Sequence, residues 1–436
     1  MFSAPTMGMK KIMRSKRKQQ QGTILDELVF EILIRLPVKS LVRFKAVSKA
    51  WQAIMSDPFF IRAQLGCSKQ RQRHDPSSFL ITPQVLLEPD CTAEEHAVKA
   101  MSTDIHFYRW NLREFDCSSS TTTLICRRRF PDGEFGAVSH LAHCDGLVLL
   151  PTSTKAYVFN PATGDVLALP ASQRNMLRNV MALPAGLVLD ASTGRYKVAR
   201  FFFRARKIKR WDIDTMGMEV FTIGGGGEDD KDPSWRETLV HPPYPVQSAQ
   251  TGTHCKGHLL FFINKHHQEQ PPNGLLRFSL QDETFGVTPF PSNMESAVDD
   301  EDIFAQELDG ELCCSYVSKS SQRLLIWITR DVQDPQWGCR YVIDLRDDCR
   351  PMASLGSMAA LGSDGILLRR GNFIFRYDFE VNGVREDEIF DMSRLIYFGP
   401  IEDTVGHVWK NVAWFDLISY SESLVPITRA YRPKML

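Results

Sequence analysis

The strongest constraint on the fold of this chain is a short pattern that recurs along most of it: a turn glycine followed at once by an apolar strand. It occurs as CDGLVLL at Gly146, STGRYKV at Gly194, CKGHLLFF at Gly257, LDGELCC at Gly310 and SDGILL at Gly365. The intervals between these glycines are 48, 63, 53 and 55 residues. Repeats of that length indicate the blades of a β-propeller, whereas a β-sandwich places its turns about every 8 to 12 residues.

A second hairpin is predicted late in several of these repeats, at VFNPATGDVLALP, RFSLQDETFGVTPFP and YDFEVNGVREDEIF. Short strands are also predicted at Phe79–Thr82, Ile105–Trp110, Leu147–Leu150, Ala156–Phe159, Lys197–Phe203, Leu259–Ile263, Leu324–Thr329, Tyr341–Leu345 and Ile366–Leu368. The repeat length predicts about six or seven blades after residue 77. We expect the strand at Phe79–Thr82 to complete the last blade and so close the ring.

The segment before the repeats, Thr23 to Leu65, has helical spacing instead. Its first part places apolar residues on one helical face, namely Leu25, Leu28, Val29, Ile32, Leu33 and Leu36. This predicts a helix over roughly residues 24–36, with Thr23 as N-cap and Pro37 after its end. Two shorter helices are predicted before Asp57, the second capped by Ser48. A segment of about 45 residues buries too little surface to be stable alone, so a partner is expected to cover it.

The string L-x-x-E-I-L-x-R-L-P-V-K-S-L-x-R-F-x-x-V-S-K-x-W, from Leu28 to Trp51, resembles an F-box. The resemblance implies a three-helix module that binds the small Skp adaptor of cullin-RING ubiquitin ligases. The implied contact residues are Ile24, Leu25, Leu28, Leu36, Pro37, Leu41, Val47 and Trp51. The family usually has Leu-Pro before Asp-Glu, where this chain has Ile24-Leu25, and the missing proline removes a pre-set helix start and one contact.

The later repeats resemble the F-box-associated interaction domain of plant F-box proteins, a kelch-like propeller. The matching stretches, in order, are CDGLVLL, FNPATGDVLALP, SWRETLVHPPYPV, GHLLFFI, LLRFSLQDETF, ELDGELCC, LLIWITRD and YSESLVPI. The expected organisation is a basic tail (1–22), an F-box (23–66), a linker (67–76) and a β domain that recognises a substrate (77–436). The fold class is therefore multidomain, with a small all-α module before a large all-β domain.

The composition indicates no global attraction to nucleic acid or to a membrane. Lys plus Arg equals Asp plus Glu at 52 each, and no apolar run is long enough to span a bilayer. Ten cysteines without a C-x-x-C pair favour a reducing compartment. The tail contains six Lys and Arg residues between Lys10 and Lys18, which is typical of a nuclear import signal and equally of a solvated basic tail. We expect the protein in the nucleus, the cytoplasm or both.

The sequence contains no recognisable catalytic constellation, and neither a cofactor nor a metal is expected. Phosphate-binding loop, nucleophile-elbow and H-E-x-x-H motifs are all absent. Two groups approach metal-ligand composition: His140, His143, Cys144 and Asp145, and then His254, Cys255 and His258. Because neighbours on a strand face opposite ways, we interpret both groups as strand and turn residues. Cys313 and Cys314 are interpreted as one core thiol and one near-surface thiol.

The basic run from Arg200 to Arg210 is interleaved with Phe201, Phe202, Phe203 and Trp211. This composition could bind RNA or an acidic protein segment, but a strand with a buried aromatic face and a charged end explains it better.

The function predicted from the sequence is a non-catalytic substrate receptor of an SCF-type ubiquitin ligase. The F-box would hold the Skp adaptor, and through it cullin and RING subunits, while the propeller would bind an unidentified protein substrate. Two alternatives stay open: a propeller that binds a small ligand or glycan, and a scaffold that binds the adaptor without causing degradation. An enzyme is disfavoured.

Overall fold

A computed structural model describes the chain over most of its length. The residues described are 26–74, 78–87, 98–99, 104–111, 121–131, 140–152, 155–171, 173–175, 183–204, 216–224, 234–248, 251–265, 270–294, 302–321, 323–344, 355–361, 365–370, 373–380, 383–391, 396–398, 407–408 and 412–427. The predicted basic tail and the predicted N-cap Thr23 lie outside them.

The first described part is a helical module (residues 26–74). It has four helices: Asp26–Leu33 (α1), Val38–Phe44 (α2), Lys49–Ser56 (α3) and Pro58–His74 (α4). The Ser48 hydroxyl accepts a 3.1 Å hydrogen bond from the Trp51 backbone N–H, which confirms the predicted cap of α3. Helix α4 was not predicted. Residues 67–74, the first part of the predicted linker, form its last two turns.

The β domain begins with Ser78–Leu87 (β1), Val98–Lys99 (β2), Asp104–Asn111 (β3) and Thr121–Arg129 (β4). Five four-stranded antiparallel sheets follow within the described residues. Their strands are Ala142–Cys144 (β5), Leu147–Pro151 (β6), Ala156–Asn160 (β7) and Asp165–Ala168 (β8); Ala185–Asp190 (β9), Arg195–Phe203 (β10), Met216–Thr222 (β11) and Arg236–Glu237 (β12); Thr253–Cys255 (β13), His258–Phe262 (β14), Gly274–Ser279 (β15) and Phe285–Pro289 (β16); Phe304–Leu308 (β17), Glu311–Val317 (β18), Arg323–Thr329 (β19) and Gly338–Asp344 (β20); and Leu355–Ala360 (β21), Gly365–Arg370 (β22), Phe373–Asp378 (β23) and Gly383–Asp391 (β24). These bounds confirm the predicted strands.

The last strands are Ile396–Phe398 (β25), His407–Val408 (β26) and Val412–Ser419 (β27). A sixth sheet closes the ring, because β27 pairs with β1, β1 with β3, and β3 with β4. Its innermost strand thus comes from the end of the chain and the next three from the beginning. Six sheets within the described residues agree with the predicted count of about six or seven, and the predicted closing role of Phe79–Thr82 is confirmed.

The innermost strands β5, β9, β13, β17, β21 and β27 follow one another around a central channel. At the closing joint between β27 and β5, the Leu141 N–H donates a 2.9 Å hydrogen bond to the Asp416 carboxylate. Three innermost strands end in two-residue turns at Asp145-Gly146, Lys256-Gly257 and Asp309-Gly310. Both residues of each turn have positive φ, from 48° to 82°. These angles are those of a type I′ turn, which favours glycine as its second residue.

Adjacent sheets are also joined by tryptophan side chains. The indole N–H of Trp235, ahead of β12, donates to the Pro170 carbonyl of the preceding sheet at 2.6 Å. Trp337, ahead of β20, repeats the contact with the Pro289 carbonyl at 2.8 Å. Each tryptophan ring buries apolar area, and its only hydrogen-bond donor, the indole N–H, is paired. The same contact therefore joins two different pairs of neighbouring sheets.

The helical module packs on the face of the ring that carries the type I′ turns. Lys69 of α4 forms an ion pair with Asp145 of the first turn. Gln72 donates to the Ser78 carbonyl at 2.8 Å and to the Ser419 hydroxyl at 3.2 Å. Leu65 joins the hydrophobic core between the sheets β5–β8 and β9–β12. The opposite face of the ring is therefore left uncovered by the helical module.

Candidate functional site

The helical module has a small core that leaves part of its apolar surface outside. The core consists of Leu33, Ile34, Val38, Leu41, Met55 and Phe60, joined by Leu424 from the end of the chain. Phe44 and Trp51 pack edge to face beside it, with ring centroids 5.5 Å apart. Because the helices are short, each can turn only one stripe of apolar residues inward, and residues on other stripes stay exposed.

The predicted adaptor contacts are distributed over three environments. Leu28 and Val47 are exposed, at 53% and 65%, and Pro37 is also exposed. Leu36 and Trp51 are half-buried, whereas Leu41 is fully buried in the core of the helical module. Ile24 and Leu25 lie outside the described residues. Leu28 and Val47 can therefore touch a partner directly, and Leu41 supports the surface from below.

Three further exposed apolar residues of the helical module are not among the predicted adaptor contacts: Ile32 at 53%, Ile54 at 37% and Phe59 at 46%. Ile32 follows Leu28 by one helical turn, so the two share a face of α1. Of the nine large apolar side chains exposed among the described residues, five belong to this module. The helical spacing did place Ile32 on the apolar face of the first helix. It could not show which apolar residues of that helix face the core and which face outward.

The central channel forms the second candidate site. It holds a cavity of about 670 Å³ lined by the innermost strands β5, β13, β17 and β27. Lys69, Gln72 and Arg73 of α4 line the end of the cavity next to the helical module. Residues of both the helical module and the propeller therefore line this cavity.

The charges in this channel are mostly compensated by protein groups. Asp145 pairs with Lys69 and accepts a 2.8 Å hydrogen bond from the Tyr196 hydroxyl. Asp416 accepts from Leu141 N–H and lies 3.3 Å from His140 Nδ1. Glu307 accepts from the Gly310 N–H of its own turn, and burial raises the pKa of its carboxyl. Because acidic and basic groups both line the channel and pair with each other, these residues do not favour a strongly charged ligand.

Two histidines, His143 and His254, line the channel. Burial within the ring lowers the pKa of His143 to about 4, and the neighbouring His254 lowers it further. Burial likewise lowers the pKa of His254. The His143 side chain stays accessible from the channel, since β5 alternates buried Ala142, accessible His143 and buried Cys144. That alternation confirms the interpretation of this group as strand residues.

The remaining chemical groups identified in the sequence are structural where they are described. No three His, Cys, Asp or Glu side chains among the described residues are arranged to hold a metal ion. Cys313 and Cys314 face opposite cores as predicted, but both are fully buried, so the near-surface assignment is wrong. Of the basic run, Phe201, Phe202 and Phe203 are buried in β10, and Arg200 is buried too. Residues 205–211 lie outside the described residues.

None of the helices in the described part of the chain is long and apolar enough to cross a membrane.

Comparison with known families agrees with this architecture. Residues 26–62 match the F-box domain, which places the chain among F-box proteins. Residues 105–392 match the F-box associated beta propeller domain. Since that match spans more than half of the chain, the chain belongs to the family of F-box proteins with an associated β-propeller.

Similar curated proteins come from Arabidopsis thaliana. A putative F-box/kelch-repeat protein is 24% identical, over 74% of this chain and 73% of its own. An F-box/LRR-repeat/kelch-repeat protein is 28% identical, over 71% and 75%. Among solved structures, the β-propeller domain of Cps50 (Swd1) from Myceliophteria thermophila is 10% identical, covers 73% of this chain and 90% of its own, and has a TM-score of 0.36.

Proposed function

We propose that this protein is the substrate-recognition subunit of an SCF-type cullin-RING ubiquitin ligase. The F-box would bind the Skp adaptor, and through it the cullin and RING subunits, while the propeller would bind a protein substrate. The observation that carries the proposal is the concentration of exposed apolar side chains in the F-box. Such a cluster on a module of this size is typical of a protein interface.

The position of the F-box restricts where the substrate binds. Helix α4 lies over the type I′ turns at Asp145 and, through the charge of Arg73, near Glu307 and Asp309. The substrate would therefore bind the opposite face, to which the connections between sheets return, for example residues 238–248. Leu239 on that connection is 89% exposed. Catalysis then needs no residue of this chain, because holding a target lysine near a charged conjugating enzyme raises its effective concentration.

A binding assay with the purified adaptor tests this proposal. Leu28→Asp with Ile32→Asp places two charges in the exposed stripe of α1, and we expect a loss of adaptor affinity of at least about 100-fold. The matched control is Leu239→Asp, a more exposed leucine (89%, against 53% for Leu28) on the opposite face, which should leave affinity unchanged. Equal affinity of both variants, or no binding by the wild type, would refute the adaptor role.

The two remaining alternatives are separated by other readouts. Partner proteins that accumulate with the variant that has lost adaptor binding (Leu28→Asp with Ile32→Asp), but not with wild type, indicate degradation. Unchanged levels of these partner proteins indicate a scaffold. The channel favours a ligand-binding role only if a polar metabolite or sugar raises the melting temperature of the full chain. Nuclear and cytoplasmic residence is likewise a proposal, tested by locating a tagged chain with and without residues 1–22.

A further inference from the structure

The last described segment, the C-terminal strap (residues 421–427), lies between the F-box and the ring. It follows β27 after one residue, Tyr420. Leu424 is buried in the F-box core, and Val425 and Ile427 are buried in the core between the first two sheets. The fully buried Asn160 amide donates to the carbonyls of Ser423 at 3.1 Å and Val425 at 3.0 Å. The strap is therefore a component of both domains.

Glu422 connects the strap to the adaptor side of the F-box. One carboxylate oxygen accepts a 3.0 Å hydrogen bond from the backbone N–H of Val38, the first residue of α2. The other forms a 2.7 Å ion pair with Arg109 of β3. Val38 directly follows Leu36 and Pro37, which are predicted adaptor contacts. One side chain thus links the segment expected to bind the adaptor to the sheet that closes the propeller.

A second attachment lies along α4. Arg71 donates to the Arg35 carbonyl at 2.9 Å, and Lys69 and Gln72 hold the same helix to the ring. A body fixed at one point can swivel, but a body fixed at two separate points cannot. Together α4 and the strap remove the hinge that a flexible linker would supply.

We propose that the C-terminal strap, with Glu422 as its positioning residue, sets the angle between the adaptor-binding surface and the propeller. The fixed angle itself does not depend on the proposed ligase function, whereas its effect on which lysines are modified rests on that function. A fixed angle presents a restricted set of lysines to the conjugating enzyme, since transfer requires the two reacting groups to be held in reach. Loosening the strap should therefore change which lysines are modified without abolishing either binding event.

The test uses the full chain with spectroscopic labels introduced as noncanonical amino acids at Gln52 in α3 and Gln281 in the β15–β16 turn. The free protein should give one narrow distance distribution. Glu422→Gln and Leu424→Ala should broaden it, while Glu380→Gln, the same change at an exposed site on another sheet, should not. Adaptor affinity should stay within about threefold of wild type in all of them.

The second readout is the set of lysines that the reconstituted ligase modifies on this chain itself, mapped by mass spectrometry. The strap variants should modify additional lysines, whereas a purely structural defect would lower the melting temperature without adding sites. Arg109→Gln breaks the same ion pair from the propeller side and should reproduce the effect if Leu424→Ala fails to fold.

Unchanged distances and an unchanged lysine set in these variants would overturn the proposal. A wild type that binds no adaptor would instead refute the ligase function, and the distance measurement would still decide the role of the strap.

Discussion

At the scale of single residues, Arg200 and Glu219 form a buried ion pair in the second sheet. Arg200 is 4% exposed, Glu219 is fully buried, and Nε lies 2.8 Å from Oε1. The guanidinium also stacks 3.7 Å from the centre of the Trp235 ring. Burial lowers the pKa of Arg200, and the charge of Glu219 opposes that change. Each charge is tolerated in the interior because the other is present.

Removing one charge of this pair should be more damaging than removing both. We expect Glu219→Gln to lower the free energy of unfolding by about 3 kcal/mol, since it leaves a buried guanidinium without its carboxylate. Arg200→Met combined with Glu219→Leu should recover most of that loss. Chemical denaturation of wild type, Glu219→Gln and the double variant measures this, and a double variant no more stable than Glu219→Gln would contradict the argument.

The channel histidine predicts how stability depends on pH. The pKa of His143 is lowered to about 4 in the folded protein, mainly by burial, from an ordinary value of 6.5. Between these values the unfolded chain binds more protons than the folded one, so stability falls as the pH falls. His143→Gln should therefore lose less stability than wild type between pH 6.5 and pH 4.5.

Melting temperatures over that pH range check the prediction for His143. Because the raised pKa values of Glu307 and Asp309 act in the opposite direction, the difference between wild type and variant is the informative quantity. His241→Gln, at a surface ring that is 66% exposed, serves as control. An identical pH dependence of wild type and His143→Gln would show that this ring does not contribute.

At the scale of elements, two turn glycines differ in what surrounds them. Gly146 and Gly194 have φ of 80° and 66°, where a side chain is unfavourable. A Cβ on Gly194 would meet nothing, whereas one on Gly146 would collide with the Ser421 carbonyl and with Ser423 of the strap. Backbone conformation and close approach therefore act together only at Gly146.

This difference gives a matched pair of substitutions. Gly194→Ala should destabilise the protein by about 1 kcal/mol, the cost of the left-handed conformation alone. Gly146→Ala should cost more, because the strap must also move. Denaturation midpoints compare the two, and hydrogen exchange of α2 should rise only in Gly146→Ala. Equal effects of the two alanines would show that the strap does not press on this turn.

Elements defined by local chemistry could be predicted from the sequence. The Asp-Gly turns, the strands after them and the Ser48 cap depend on neighbouring residues only. Helix α4 was missed because residues 67–74 are polar and lack an apolar stripe; contacts of Lys69 and Gln72 with the ring hold them instead. The burial of Leu41 was equally unpredictable, since its core cluster includes Leu424, which lies far away in sequence.

At the scale of the whole molecule, stability depends on closing the ring. Strand β27 pairs with β1 over most of its length, and β1 also pairs with β3. Without these partners β27 would be an unpaired inner strand, and the channel side of β5 would lose its neighbour Asp416. Each sheet has too small a hydrophobic core to be stable without its neighbours. We therefore expect a chain that cannot close the ring to leave the whole propeller unfolded.

Two truncated chains separate ring closure from the contribution of the F-box. A chain of residues 75–436 keeps β1 to β4 and should be a folded monomer with a lower melting temperature, because it exposes Leu424 and the site of Leu65. A chain of residues 112–436 loses β1 to β3 and should aggregate, since β27 then presents an open edge. Size-exclusion chromatography and circular dichroism distinguish the two. A monomeric, cooperatively melting 112–436 chain would show that five sheets suffice, and closure by the N-terminal strands would then serve chiefly to fix the F-box on the ring.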